Sequence, residues 1–242
     1  MAEGASTHAA SDYPLRHGVL CHGALGRGPR VESVPILGNG SVHAVEEVQA
    51  IELPEIPGPV AVALDARTSA LLVLDLTANA CAQPPCSETV IPTVASLVEK
   101  ARKASVLVVW TLGDGALREG GEGATFRPGL APAPGEAVVS APEGKFNNTN
   151  LDQLLHEAGI ETTVLVGVRA NGAVMNTALD ANQLGYTVVV ADDGMFSDDF
   201  GMLVTRYQVL NHGGPSTRNP NNQPLEPRVT TLSRSDLISY TE

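Results

Sequence analysis

A chain of 242 residues, 43% hydrophobic and 17% charged, is long enough to bury a sizeable core without help from disulfides or metals. Its formal charge of −12 argues against nucleic acid or an anionic membrane surface as partner, although a local basic pocket can still take a small anion. Three cysteines, Cys21, Cys81 and Cys86, are an odd number; they make no disulfide framework and fit a reducing cytosol.

The opening stretch lacks the basic-then-apolar pattern of a signal peptide, and no apolar run approaches the roughly 20 residues of a membrane span, so a soluble cytoplasmic protein is expected. Residues 1–60 are rich in Gly, His, Ser and Pro. They read as an arm with one or two short strands, packing on its own domain or on a neighbouring subunit, and ending at the proline-broken "LPEIPGPVAV". Residues 61–242 read as one domain. "ALLVLDL" (Ala70 to Leu76) is a nearly continuous apolar run, as expected of a strand covered on both faces. Val90, Val94, Leu97, Val98 and Ala101 then recur at helical spacing, with Ser87 or Thr89 as candidate caps. "VLVVW" (Val106 to Trp110) is a second buried strand. Gly113 to Gly135 reads as a long loop, a length that is often functional. A short amphipathic helix carries Leu151, Leu154, Leu155 and Ala158 and stops at Gly159. "TVLVGV" is a third strand, a helix runs from about Gly172 to Gly185, "TVVVAD" is a fourth strand, and "RVTTLS" is one more near the end. Strands alternating with helices predict an α/β fold: a doubly wound, mainly parallel sheet with helices on both faces.

Ligands of such sheets bind at the carboxyl ends of the strands. That rim collects Asp75 after the first core strand and Trp110, Thr111 and Asp114 after the second. Arg169 and Asn171 follow the third, Asp192 and Asp193 the fourth, and Lys145 stands in a loop that can reach the same place. A lone aspartate ending an apolar strand needs a partner, because an unpaired buried carboxylate costs several kcal/mol. Lys145 is one candidate. The alternative is that Asp75 caps a turn and Lys145 is solvated.

Three segments, in order and at suitable spacing, resemble the isochorismatase-like hydrolase superfamily, which holds isochorismatases, nicotinamidases and N-carbamoylsarcosine amidase-type enzymes. They are "TSALLVLDLTANAC", "EGKFNNTNLDQLLHEAGIETTVLVGV" and "GVRANGAVMNTALDANQLGYTVVVADD", together spanning roughly Ala63 to Asp193. The resemblance implies a catalytic set of Asp75, Lys145 and Ala173, the last standing where the amidases carry a cysteine nucleophile. It also implies a non-proline cis peptide at Val168–Arg169, an anion or oxyanion cradle at the Gly172–Ala173 backbone, and a homo-oligomer, dimer or tetramer. Arg169, Asn171 and Gly172 are expected at the substrate, with Trp110, Phe126 and Phe146 lining its pocket. Arg118 and Arg127 of the long loop are further candidates for a substrate carboxylate, or are solvated loop charges. No metal and no cofactor are expected, since no histidines stand between Asp75 and Trp110.

An alanine cannot attack a carbonyl, so covalent catalysis at position 173 is excluded. Three readings remain. The first is a natural cysteine-free hydrolase of a small anionic metabolite. "GVRANGAVMNTA" is similar to the isochorismatases proper, whose aspartate protonates a vinyl ether before water adds and pyruvate leaves. The second is a cysteine amidohydrolase carrying a Cys→Ala replacement at position 173. The third is a non-catalytic binding member of the family.

Outside these segments, Cys81 and Cys86 read as two free thiols or, less simply, as a displaced nucleophile. His17, Cys21 and His22 have a loose metal-like spacing with no second cluster. "NHGGPSTRNPNNQPLEP" is a polar loop that could act as a lid or subunit contact, with Asn211 and His212 at its start.

Overall fold

The computed structural model describes residues 55–113, 125–127, 129–141, 144–212 and 220–242. The predicted arm therefore lies outside the described residues up to 54, as do Asp114, Arg118 and the His17–His22 cluster. Residues 55–60 run along the domain, where Val60 N donates to Leu232 O and Ser233 Oγ donates to Val60 O.

The elements follow in chain order: β1 Val62–Asp65, β2 Ser69–Leu74, α1 Cys86–Lys103, β3 Leu107–Gly113, β4 Ala137–Ala141, α2 Leu151–Glu157, β5 Thr162–Val168, α3 Met175–Gln183, β6 Thr187–Phe196, α4 Asp199–Asn211, β7 Thr230–Ser233 and β8 Ile238–Thr241. A π-helical turn, Ala170–Val174, leads into α3. Six strands pair in the order β4-β3-β2-β5-β6-β7, every pair parallel. The strand order reverses between β2 and β5, which is where a doubly wound sheet opens a crevice at its carboxyl edge. The alternation of apolar runs and helical repeats predicts this architecture, and the structure has it.

Both faces are covered. On one, Leu71, Val73, Val108, Trp110, Val164 and Val166 pack under α1. That helix forms because Val90, Val94, Leu97, Val98 and Ala101 fall on one stripe, all buried, while Lys100, Arg102 and Lys103 in its last turn complement the helix dipole. On the other face, Leu72, Leu74, Val109 and Leu165 meet residues of α2, α3 and α4. Four elements have no counterpart in the sequence reading: β1 and β8, which form a separate two-stranded parallel sheet, β4, an edge strand whose burial alternates along its length, and α4.

Two expectations about the start of α1 are corrected. The helix begins at Cys86 behind Pro85, with no side-chain cap, so neither Ser87 nor Thr89 is the cap. Cys81 and Cys86 are not free thiols but a disulfide, with Cα atoms 5.4 Å apart. The exposed residues 82–85 turn the chain back so that both sulfurs lie inside, at 1% and 3% exposure. A thiol nucleophile displaced to either position is thereby excluded in the bonded state.

Candidate active site

The site is built where β2 and β5 part. Asp75 follows β2 in a left-handed conformation, φ 54°, which a short polar side chain tolerates better than most. Its Oδ2 accepts a 2.7 Å hydrogen bond from Lys145 Nζ, and its Oδ1 accepts one of 2.9 Å from Thr111 Oγ1. Lys145 is wholly buried, while the Asp75 side chain keeps about a fifth of its surface exposed. Lys145 Nζ also donates to Ala141 O at 3.2 Å. The loop that delivers it is pinned by Thr149 Oγ1, which donates to Lys145 O, and by Thr177 Oγ1 on α3, which accepts from Lys145 N. Of the two readings of these charges, the ion pair is the one the structure contains.

β5 supplies the other half. Gly167 sits where its pairing with β6 shifts register, at φ 135°. Any side chain there would run into Leu74 O, so the approach of β5 to the strand that carries Asp75 requires glycine. Val168–Arg169 is a cis peptide, as the resemblance implies. The chain then enters the π-helical turn, which places Ala173 on the cavity.

A cavity of about 300 Å³ opens between these parts, lined by Asp75, Ala80, Val168, Arg169, Gly172 and Ala173. Arg169 is exposed, and its guanidinium has no ion-pair partner among the described residues. The cavity thus holds a carboxylate neutralised by a buried ammonium and one uncommitted cation at its mouth. Gly172 N donates to Arg169 O at 3.1 Å, so one of the two N–H groups expected of the cradle is already used. Among the described residues no group of three or more His, Cys, Asp and Glu side chains gathers to hold a metal.

Five of the expected site residues therefore line one cavity or meet in it: Asp75, Lys145, Ala173, Arg169 and Gly172. Asn171 stands beside them, exposed, its Oδ1 accepting a 2.8 Å hydrogen bond from Ser197 Oγ. Trp110 and Phe146 are placed elsewhere. Trp110 is fully buried beneath α1, edge-on to Phe126, with Nε1 donating to Glu136. Phe146 stacks on Tyr186 at 5.9 Å. Successive strand residues face opposite sides, so the side chain that reaches Asp75 is Thr111, next to Trp110. The sequence reading put Thr111 on the rim without giving it a role. Ser197 and Ala80 carried no sequence signal. Arg127 reaches Ala78 O with Nη2 at 3.3 Å, and is not among the cavity's lining residues.

A model of the isochorismatase domain matches residues 69–201, more than half of the chain. This chain belongs to the isochorismatase family, a family of hydrolases. A secreted isochorismatase effector of Verticillium dahliae is 35% identical over 114 residues, 45% of this chain and 60% of that protein. Maleamate amidohydrolase of Pseudomonas putida is 31% identical over 149 residues, 51% of this chain and 70% of that protein. The structure of an isochorismatase family protein from Burkholderia thailandensis superposes with a TM-score of 0.57 at 23% identity, covering 76% of this chain and 97% of that one. At that identity it speaks for the fold.

Proposed function

We propose that the protein hydrolyses a small anionic metabolite by acid–base chemistry at Asp75, without a covalent intermediate. The observation that carries this reading is the combination of an intact Asp75–Lys145 pair, 2.7 Å apart, with a methyl group at the nucleophile position of the turn. Chemistry that needs a proton relay but no thiol keeps the first and can spare the second. Two donors, the Lys145 ammonium and the Thr111 hydroxyl, already face the carboxylate. Asp75 in its ionised form is thus held to take a proton from water, and in its acid form to deliver one to a vinyl ether carbon. Lys145 serves as charge partner. Arg169 holds the carboxylate of the substrate at the cavity mouth through a guanidinium that has no ion-pair partner among the described residues. The Ala173 N–H and the turn it opens favour negative charge that develops nearby.

The substrate is small because the cavity is, at about 300 Å³. No cofactor and no nucleic acid enter the proposal. A homo-oligomer remains part of it, to be tested by light scattering on the full chain. The expectation of a cytoplasmic protein drew on the cysteine count as well as on the lack of a signal-peptide pattern or a membrane-length apolar run. With Cys81 and Cys86 joined the first support is gone, and the Verticillium relative is named as secreted. Among the described residues no helix is long and apolar enough to cross a membrane.

The test is pyruvate release from isochorismate by the protein and by its Asp75→Asn variant. Release that disappears in the variant supports the reading, and absence of release from both removes this substrate. The amidohydrolase reading draws on relatives such as the maleamate enzyme. Ala173→Cys separates it: new activity on small amides would make the alanine the lost nucleophile.

A further inference from the structure

We propose that the Cys81–Cys86 disulfide is a positioning element of the active site, holding the cavity wall that contains Ala80, and that reduction by a dithiol loosens that wall. The proposal rests on the reading that this cavity binds the substrate.

The wall is a short segment between two rigid elements. It leaves Asp75 at the end of β2 and joins α1 at Cys86. Among the described residues it is tied by an antiparallel bridge between Thr77 and Phe126 and by a handful of hydrogen bonds. Thr77 N donates to Asp75 O, Ala78 N to Thr125 O, and Ala80 N to Thr77 Oγ1 at 3.3 Å. Arg127 Nη2 donates to Ala78 O at 3.3 Å. Beyond Ala80, residues 82–85 are exposed and supply no buried anchor.

The disulfide changes this. Cys81 is the neighbour of Ala80, and its bond leads straight to the first residue of α1, a helix fixed to the sheet by five buried side chains after it. The wall residue is therefore one peptide and one disulfide away from the helix packed on that face. Both sulfurs pack within the apolar cluster under α1.

The redox step is thiol–disulfide exchange. A dithiol such as dithiothreitol attacks one sulfur as thiolate, forming a mixed disulfide, and its second thiolate releases the first. The S–S bond of the protein breaks, two cysteine thiols form, and the reagent leaves as its cyclic disulfide. Two electrons and two protons pass to the protein. Because the sulfurs are nearly inaccessible, reduction of the native protein is slow, and a Cys81→Ser/Cys86→Ser double variant supplies the open form directly.

Three measurements on the full chain test this. Thiol titration of unfolded, unreduced protein should count one thiol per chain, Cys21, and three after reduction; three without reduction overturns the proposal. Amide exchange of the double variant should accelerate at Thr77, Ala78 and Ala80 while β3 stays protected. Unchanged exchange, or acceleration spread evenly over the domain, overturns a positioning role. With isochorismate as substrate, the variant should raise KM about tenfold with kcat little changed, the pattern of a wall that binds but does not react. A fall in kcat alone overturns it. If the parent protein hydrolyses no isochorismate, the functional reading fails, and the thiol count and exchange pattern still decide the disulfide's role.

Discussion

Two carboxylates, each met by a neutral donor from one of two adjacent β3 residues, have opposite fates. Thr111 points to one side and reaches Asp75; Trp110 points to the other and reaches Glu136. Each carboxylate also has a cation, Lys145 for Asp75 and Arg102 for Glu136. Glu136 is saturated. It receives Arg102 Nε and Nη2, both at 2.8 Å, Trp110 Nε1 at 2.7 Å and Ala133 N at 2.8 Å, and Arg102 further lies 5.9 Å from the Trp110 ring centroid. Asp75 receives two side-chain donors and faces a cavity at whose rim the Arg169 guanidinium has no ion-pair partner among the described residues. The ingredients are alike, and what separates a structural knot from the group proposed for acid–base chemistry is spare lone pairs facing the cavity.

The comparison breaks most visibly at Asp75. Asp75→Ala leaves the Lys145 ammonium wholly buried with Ala141 O as its remaining partner. Stripping a buried pair of one member costs about 3–5 kcal/mol, and urea unfolding at neutral pH should show a loss of that order together with abolished hydrolysis. Lys145→Met should cost less, because Asp75 keeps Thr111 and a partly exposed edge. Equal and negligible losses for the two variants would mean that the pair is not the buried charge pair described.

Glu136→Gln sharpens the other side. Burial pushes the Glu136 carboxyl up, but the donors from Arg102, Ala133 N and Trp110 outweigh it and hold the group below its ordinary value. A carboxylate of this kind contributes stability above its unfolded range, and that contribution disappears as pH falls through the lowered folded value. The variant should lose about 1–2 kcal/mol at neutral pH, a loss that starts to shrink only below about pH 4 and vanishes as pH falls through the lowered folded value, while hydrolysis per folded molecule stays unchanged. A fall in turnover would tie this knot to the site.

The Asp75–Lys145 pair was legible in the sequence only as one of two readings: a lone aspartate at the end of an apolar run demands a partner without naming it, and the resemblance supplied Lys145. The core strands β2, β3, β5 and β6 were legible because they are buried on both faces and carry little but apolar residues. β4 was not: "AVVSA" is an edge strand with exposed alternate positions and falls beside a Gly/Pro-rich loop. α4 was not, because it turns Gly201 and Thr205 inward and leaves Phe200 outside, the reverse of an amphipathic pattern. Trp110 was assigned to the pocket because strand alternation fixes that neighbours diverge but not which one meets the ligand. The disulfide escaped for a related reason. A spacing of five residues permits a bridge, and whether the intervening turn folds back is a tertiary fact.

Away from the crevice, Tyr186 precedes β6 at the opposite edge of the sheet, where its hydroxyl donates to Asp152 Oδ1 at 2.8 Å and lies 2.9 Å from His156 Nδ1. Tyr186→Phe should cost about 0.5–1 kcal/mol, because Asp152 is solvated enough to replace the bond with water. Burial, and then the Asp152 carboxylate, push the phenol well above its ordinary value. A raised group loses its contribution as pH climbs through the folded value, so parent and variant should begin to converge only above about pH 10. Hydrolysis should be untouched, since nothing in this cluster faces the cavity.

The smallest effect is expected at Asp180, on α3 near the Lys145 loop, where Asn147 Nδ2 donates to Oδ2 at 3.4 Å. Burial raises its carboxyl above the ordinary value, and no cation opposes this. The folded state therefore favours the protonated form: stability from this group is full below its unfolded value and declines as pH rises through the folded one. At neutral pH the ionised Asp180 is a burden. Asp180→Asn should stabilise the protein by less than about 1 kcal/mol, and the gain should fade toward about pH 4. Thermal unfolding of both proteins across that range measures it. A variant less stable at every pH would show that the long bond to Asn147 outweighs the burial of the charge, and that α3 holds the Lys145 loop through Asp180.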